Sequence, residues 1–186
     1  MSRYGNIWFA IAFGISLVCA TYVYFVLNRK PSAPIAPVVT SCNITKPGMR
    51  RIGDQFGLQF DVPAANFTIG KWMPDAPPIV LGFDVRGKNS TSLLTISFDP
   101  PENISVVDPA SVFAEHAEKR NVFDEKGHVI GEDSWSYLYS GERSRRVQLR
   151  GGRAVAKYDF VNERDAESFD QIIGSACLLS VPTHEQ

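Results

Sequence analysis

The feature that most constrains this chain is a stretch near the N-terminus, residues 7–27, that carries no charged side chain. As a helix it would rise about 30 Å, which matches the hydrocarbon core of a bilayer. Aromatic residues flank both ends, with Trp8 at one and Tyr22 and Tyr24 at the other, where amphipathic rings meet the membrane interface. The sequence therefore predicts a short tail over residues 1–6 and one transmembrane anchor over residues 7–27, in the inner membrane.

Two other interpretations of this stretch fit less well. A cleaved export signal has a shorter apolar region and then small residues, whereas this run continues through Val23 to Leu27. Cys19 raises the alternative of a lipid attachment site. A lipoprotein signal, however, is similar to a pattern with leucine three positions before the cysteine and Gly or Ala directly before it, and this chain has Ser16 and Val18 at those positions. An uncleaved single-pass anchor is the expectation that remains.

A proline-rich segment follows the apolar stretch. Residues 31–40 read PSAPIAPVVT, and three prolines favour an extended, semi-rigid spacer. We therefore expect a linker over residues 28–45. The rest of the chain, residues 46–182, has the length of one globular domain.

Two cysteines bracket that domain. Cys42 precedes the predicted strands and helices, and Cys177 follows the last of them. A disulfide between them would close a very long loop, and disulfides persist in oxidising compartments. Basic residues on the two sides of residues 7–27 are nearly balanced, so the predicted disulfide decides the orientation. We expect a periplasmic or other extracytoplasmic domain.

Charge excludes one class of partner. The chain has 19 basic and 20 acidic residues, a net charge of −1 at pH 7. A dedicated nucleic-acid-binding protein carries a strongly basic surface. No nucleic-acid partner is therefore expected.

The hydrophobic pattern of the domain predicts strands, a helix, more strands and a closing helix. Period-2 alternation or β-rich composition marks strands over residues 56–62, 66–72, 79–85, 92–98, 128–130, 135–139, 145–150 and 154–161. Asp108 and Pro109 predict the start of a helix that runs to about Arg120. Asn162 predicts the cap of the closing helix, and Gly174 its end. The predicted fold class is α+β, an antiparallel sheet with two packed helices.

This order of elements resembles the PsbP-like fold, the group that includes DcrB-like envelope proteins. The residues that carry the resemblance are Val62-Pro63, the strand with Tyr137, the hairpin at Gly151-Gly152 and the closing helix from Phe169 to Ser175. The resemblance covers residues 50–176. It implies a mostly non-catalytic binding or assembly protein, and it carries over no functional residue.

Motifs for catalysis, metals or cofactors are weak. The segment from Gly82 to Asn89 nearly matches a phosphate-binding loop, but a strand rather than a helix is predicted after Lys88. The three histidines, His116, His128 and His184, lack metal-ligand spacing. We therefore predict no catalytic residue, no metal and no cofactor.

The hairpin at Gly151-Gly152 supplies the candidate binding surface. Alternation places Val147, Leu149, Ala154, Ala156, Tyr158 and Phe160 in the core. It places four basic side chains on the opposite face: Arg146, Arg150, Arg153 and Lys157. Like charges facing each other across a sheet are unfavourable, so the cluster points to an anionic partner. An acidic protein surface, a lipid headgroup and cell-wall phosphate all fit, as does an ordinary solvated face.

The leading hypothesis is a membrane-anchored envelope protein with a non-catalytic protein-binding or assembly domain. One alternative is a periplasmic immunity-type protein that neutralises a secreted toxin, and another is an envelope hydrolase with a site assembled across strands. Four N-x-[ST] motifs begin at Asn43, Asn66, Asn89 and Asn103, where chance predicts about one. They leave a eukaryotic glycoprotein open as a minor alternative.

Overall fold

A computed structural model describes residues 3–27, 33–53, 57–72, 81–98, 116–138, 141–151 and 153–179. The chain forms two compact units, Met1–Ala33 and Pro34–Gln186. The first contains helix α1, Arg3–Leu27. The second contains strands β1 Val38–Ser41, β2 Met49–Gly53, β3 Leu58–Pro63, β4 Phe67–Trp72, β5 Leu81–Gly87, β6 Leu93–Phe98, β7 His116–Asp124, β8 Val129–Tyr137, β9 Arg143–Leu149, β10 Ala154–Val161, helix α2 Glu163–Gly174 and strand β11 Cys177–Leu178.

The predicted transmembrane helix is corrected. Helix α1 forms over the expected stretch, but no helix in the described part of the chain is long and apolar enough to cross a membrane. Gly14, Ser16 and Thr21 interrupt its apolar side chains, and the Thr21 hydroxyl donates to the carbonyl of Leu17 at 2.8 Å. The uncharged length and the flanking aromatic rings were not sufficient for the prediction, because a span must also be apolar enough over its whole length.

The predicted α+β class is also corrected, because the second unit is mostly β. Its strands form one eleven-stranded curled sheet in the order β2-β3-β11-β1-β7-β8-β9-β10-β6-β5-β4. The pairs are antiparallel except for β1, which runs parallel to both β7 and β11. Strand β1 lies within the segment expected to be a linker.

The predicted central helix is a strand over the residues that the structure describes. The helix expected from Pro109 to Arg120 lies outside the described residues up to position 115, and from His116 onward the chain is strand β7. Arg120 and Val122 point inward there with a period of two. The two short strands expected over 128–130 and 135–139 are parts of the single strand β8, Val129–Tyr137, and residue 139 lies outside the described residues. Helix α2 is therefore the one helix that packs on the sheet within the described residues.

Helix α2 has the boundaries that its sequence predicts. The side chain of Asn162 accepts a hydrogen bond from the backbone N–H of Asp165 at 3.0 Å, and the acidic residues of the first turn suit the positive end of the helix. The buried face carries Ala166, Phe169, Ile172 and Ile173. It packs against β3, β9 and β10, so the helix joins strands from distant parts of the sheet order around one core.

A glycine in β8 allows strands β8 and β9 to lie close together. Gly131 of β8 pairs with Leu149 of β9, and a Cβ at position 131 would lie 2.0 Å from the carbonyl oxygen of Gln148. No other residue fits without moving the β9 backbone. Gly131 thereby permits the close β8–β9 pairing that sets the positions of Asp133 and Arg145.

Candidate functional site: a basic outer face and a buried arginine network

The basic hairpin lies in the register that the sequence predicts. Leu149 pairs with Ala154, Val147 with Ala156, and Arg146 with Lys157. The N–H of Arg153 donates to the carbonyl of Arg150 at 3.4 Å, which closes a tight turn. We call Arg146, Arg150, Arg153 and Lys157 the basic face.

Arg146 and Lys157 of the basic face lie on the sheet surface, whereas Arg150 and Arg153 lie in the turn that joins β9 to β10. Across the strands, Arg146 is followed by Lys157 and then by Thr95 of β6, and Ser134 of β8 lies on its other side. These side chains are partly exposed, whereas Val147 and Leu149 on the same strand are buried. The pleat therefore separates a basic surface from the core.

Arg146 and Lys157 of the basic face each have a neighbouring polar group. Lys157 lies 3.8 Å from the carboxylate of Asp159, and both side chains are well exposed, so the pair is weak. The Gln148 amide can turn to accept from the Arg146 guanidinium at about 3.0 Å, which satisfies a donor but not the charge. An anionic partner would find two cations side by side.

One residue expected in the core lies outside it. Phe160 is 40% exposed because the β9–β10 register shifts between Tyr158 and Val161, and Phe160 adopts a positive φ of 53°. The bulge turns its ring outward. The N–H of Phe160 donates to the Ser144 hydroxyl at 2.9 Å, which fixes the irregular backbone.

The inner face of the sheet carries a buried network of charged side chains that was not predicted from the sequence. At its centre, Arg145 of β9 is fully buried, with its Nε and Nη2 each 2.9 Å from the carboxylate of Asp133. Its Nη1 donates to Asp170 of α2 at 2.6 Å. The two-point contact with Asp133 matches the planar guanidinium to the planar carboxylate.

A second arginine completes the network at Asp170. Arg143 donates to the carboxylate of Asp170 and, through Nε, to the Tyr158 hydroxyl at 2.9 Å. The Tyr158 hydroxyl in turn donates to Asp170 at 2.8 Å. Burial, reinforced by the charge of Asp170, raises the pKa of Tyr158, which keeps the phenol neutral. Helix α2 is thus fastened to β9 and β10 by charge as well as by apolar packing.

The two arginines stay charged despite their burial. Burial by itself would lower the pKa of Arg145, but the hydrogen bonds and negative charge of Asp133, together with Asp170, raise it above its ordinary value. The pKa of Arg143 is raised in the same way, with burial outweighed by Tyr158 and Asp170. Each buried carboxylate contacts two guanidinium groups, Asp133 those of Arg120 and Arg145 and Asp170 those of Arg143 and Arg145.

The network also fastens the segment before β1. Nη2 of Arg145 donates to the carbonyl of Ile35 at 2.9 Å, and Nη2 of Arg120 donates to the carbonyl of Pro34 at 2.6 Å. Arg120 is held between the Asp133 carboxylate at 2.7 Å and the ring of Trp135, whose centroid lies 4.6 Å from its guanidinium carbon. The proline-rich segment is therefore bound along the sheet by its backbone.

A signal for this network was present in the sequence. Arg143 and Arg145 have the same strand phase as Val147 and Leu149, and Asp133 has that of Trp135. Strand phase therefore predicts these three side chains inward, but only apolar residues were assigned to the core. A buried arginine needs a specific carboxylate partner. Asp133 becomes that partner only through the pairing of strands, which the local sequence does not show.

The cysteines behave as predicted. Cys42 and Cys177 form a disulfide with a Cα–Cα distance of 4.8 Å across 135 positions of sequence. Strand β11 pairs with β1 so that Thr40 lies beside Cys177, and the N–H of Cys42 donates to Leu178. The bond therefore joins the beginning and the end of the sheet domain.

The structure also describes parts of the other motifs that the sequence contains. The segment from Gly82 to Asn89 forms β5 and a turn into β6, a hairpin and not a phosphate-binding loop. His128 lies 3.1 Å from the Asp124 carboxylate at the surface, and the described residues contain no group of three side chains able to hold a metal. The asparagines of the N-x-[ST] motifs at 43, 66 and 89 are exposed, and the fourth lies outside the described residues.

Comparison with known proteins found no matching family model, no matching curated protein and no matching solved structure. The resemblance to the PsbP-like group therefore stays a prediction.

Proposed function

We propose that the chain is an extracytoplasmic protein whose sheet domain binds another protein, without catalysis, through the basic face. The observation that carries the proposal is the pairing of Arg146 with Lys157 at the middle of the outer sheet surface. Two like charges held side by side repel each other, and an acidic partner surface would relieve that repulsion.

The inner chemistry supports a binding role over an enzymatic one. The buried carboxylates Asp133 and Asp170 are each held by two arginines, so their charges serve to lock the fold. The disulfide supports the proposed compartment, because such bonds persist outside the reducing cytosol. The partner we propose is an envelope or secreted protein with an acidic surface.

Charge reversal tests the proposal. The variant Arg146→Glu, Arg150→Glu, Arg153→Glu and Lys157→Glu turns the basic face acidic. The matched control reverses four exposed basic residues elsewhere: Lys46, Arg50, Lys71 and Lys126. Both variants change the net charge by the same amount, so a general charge effect would appear in both.

Proteins cross-linked to the chain in intact cells would be compared between the two variants. We expect the basic-face variant to lose its acidic partner and the control to keep it, with wild-type association rates that fall as salt is added. Reversal should weaken binding by about tenfold or more, equivalent to about 1.4 kcal/mol. Identical cross-linked partners in both variants would refute the basic face as the contact.

A further inference from the structure

A polar cleft of about 420 Å³ lies away from the basic face. Three separate segments line it: the turn before β4, the turn between β5 and β6, and the first turns of α2. Its floor includes Phe67 and Phe169, whose ring centroids are 6.0 Å apart. Its volume is in the range of small-molecule sites.

The polar side chains of the cleft supply an excess of donors. Lys88 comes from the β5–β6 turn and Arg164 from α2, and the amides of Asn66 and Asn89 add further N–H groups. Lys88 and Arg164 form no ion pair with any described residue. The cleft therefore has two cations from two different segments, and neither lies within ion-pair distance of a carboxylate in the described part of the chain.

The one carboxylate that lines the cleft is already engaged. Asp165 accepts a hydrogen bond from the Ser90 hydroxyl and another from the Asn162 amide at 3.2 Å. The Ser90 bond holds the pKa of Asp165 below its ordinary value, so the group is an anion that fixes the β5–β6 turn against α2. The bonds from Ser90 and Asn162 hold this carboxylate in the wall of the cleft, and the charge of Arg164 adds to the lowering of its pKa.

We infer that this cleft binds a small oxyanion, a carboxylate or a phosphate monoester, between Lys88 and Arg164. Arginine pairs with planar carboxylates or phosphates through two parallel hydrogen bonds, and lysine adds a mobile positive charge. The side-chain amides of Asn66 and Asn89 are donors that complete the coordination of the ligand's oxygens. This inference does not rest on the proposed protein contact, because the two surfaces share no residue.

The full chain with the Cys42–Cys177 bond intact would be titrated with inorganic phosphate and, separately, with succinate at constant ionic strength. Backbone amide NMR shifts report where each anion binds. We expect shifts centred on residues 66, 88–90 and 164–168. Stronger binding of phosphate indicates a phosphorylated ligand, and stronger binding of succinate a carboxylic acid.

The variant Lys88→Gln/Arg164→Gln removes both cations at nearly constant size. It should weaken the anion about tenfold or more, whereas the control Lys46→Gln/Arg50→Gln, with the same change of charge, should not. Absence of shifts in the cleft, or equal weakening in both variants, overturns the inference. The basic-face variant of the previous subsection should bind the anion normally, which separates failure of one proposal from failure of the other.

Discussion

Arg145 and Arg146 are neighbours on one strand and have opposite environments. Arg145 points inward, is fully buried and contacts two carboxylates and a backbone carbonyl. Arg146 points outward beside Lys157 with an amide as its near neighbour. The same type of side chain is thus part of the buried network on one face of the sheet and partly exposed to solvent on the other.

The environment of each arginine, not its residue type, therefore decides whether its charge supports the fold. A buried guanidinium is tolerated because Asp133 and Asp170 replace the hydrogen bonds and counter-charge that water would give. An exposed guanidinium keeps its water, so its contribution to stability is small. Substitutions on the two faces should therefore separate stability from binding.

The largest expected effect on stability comes from the Cys42–Cys177 disulfide. Cys42 follows the segment whose backbone Arg145 contacts at Ile35. Replacing Cys42 and Cys177 by alanine should lower the free energy of unfolding by about 5 kcal/mol, because the chain-entropy model scales with the 135-position loop. Urea unfolding of the variant against wild type measures it. A cost near zero would mean that the inner-face contacts alone hold the segment.

Arg145→Met should cost about 3–5 kcal/mol, since it leaves the buried Asp133 and Asp170 short of a partner. The matched substitution Arg146→Met on the outer face should change stability by less than about 0.5 kcal/mol. Denaturant midpoints of both variants make the comparison. Equal losses would show that the two arginines do not differ in the way described.

Tyr158→Phe removes the hydroxyl between Arg143 and Asp170 and should cost about 1–3 kcal/mol at neutral pH. The folded pKa of Tyr158 is raised, so its stabilising effect is fully present below the unfolded pKa of about 10 and is lost as pH rises further.

The wild type should therefore lose stability above about pH 10 more steeply than Tyr158→Phe, by up to about 1.4 kcal/mol per pH unit. Thermal unfolding across the alkaline range measures both slopes. Parallel slopes for the two proteins would contradict a buried neutral phenol at this position.

The smallest effect on stability is expected on the outer face. Arg146→Gln/Lys157→Gln should change the free energy of unfolding by less than about 0.5 kcal/mol, and relief of repulsion favours a slight gain. Denaturant unfolding at low and high salt checks this, because repulsion is screened by salt. A loss of more than about 1 kcal/mol would indicate that these cations support the fold.

Local patterns predicted much of this domain. Strands β3 to β6, the β9–β10 hairpin with its register, the cap of α2 at Asn162 and the Cys42–Cys177 bond all follow from alternation, turn chemistry and spacing. These features depend on neighbours in sequence or on a single cysteine pair.

What failed depends on distant parts of the chain. Strand β1 was expected in a linker, because its pairing with β7 and β11 involves residues far away in sequence. The part of strand β7 up to Arg120 was expected as the end of a helix, because Asp108 and Pro109 predict a helix start and the pairing with β8 is not visible in the local sequence. The buried position of Arg145 likewise depends on a carboxylate from another strand and one from α2.

The position of β1 has a consequence for how the molecule is made. Its neighbours are β7 and β11, so β1 has both of its partners only once residues 177–178 have been synthesised. Pairings of such long sequence separation form slowly in folding. Removal of β11 would take away one of the two partners of β1.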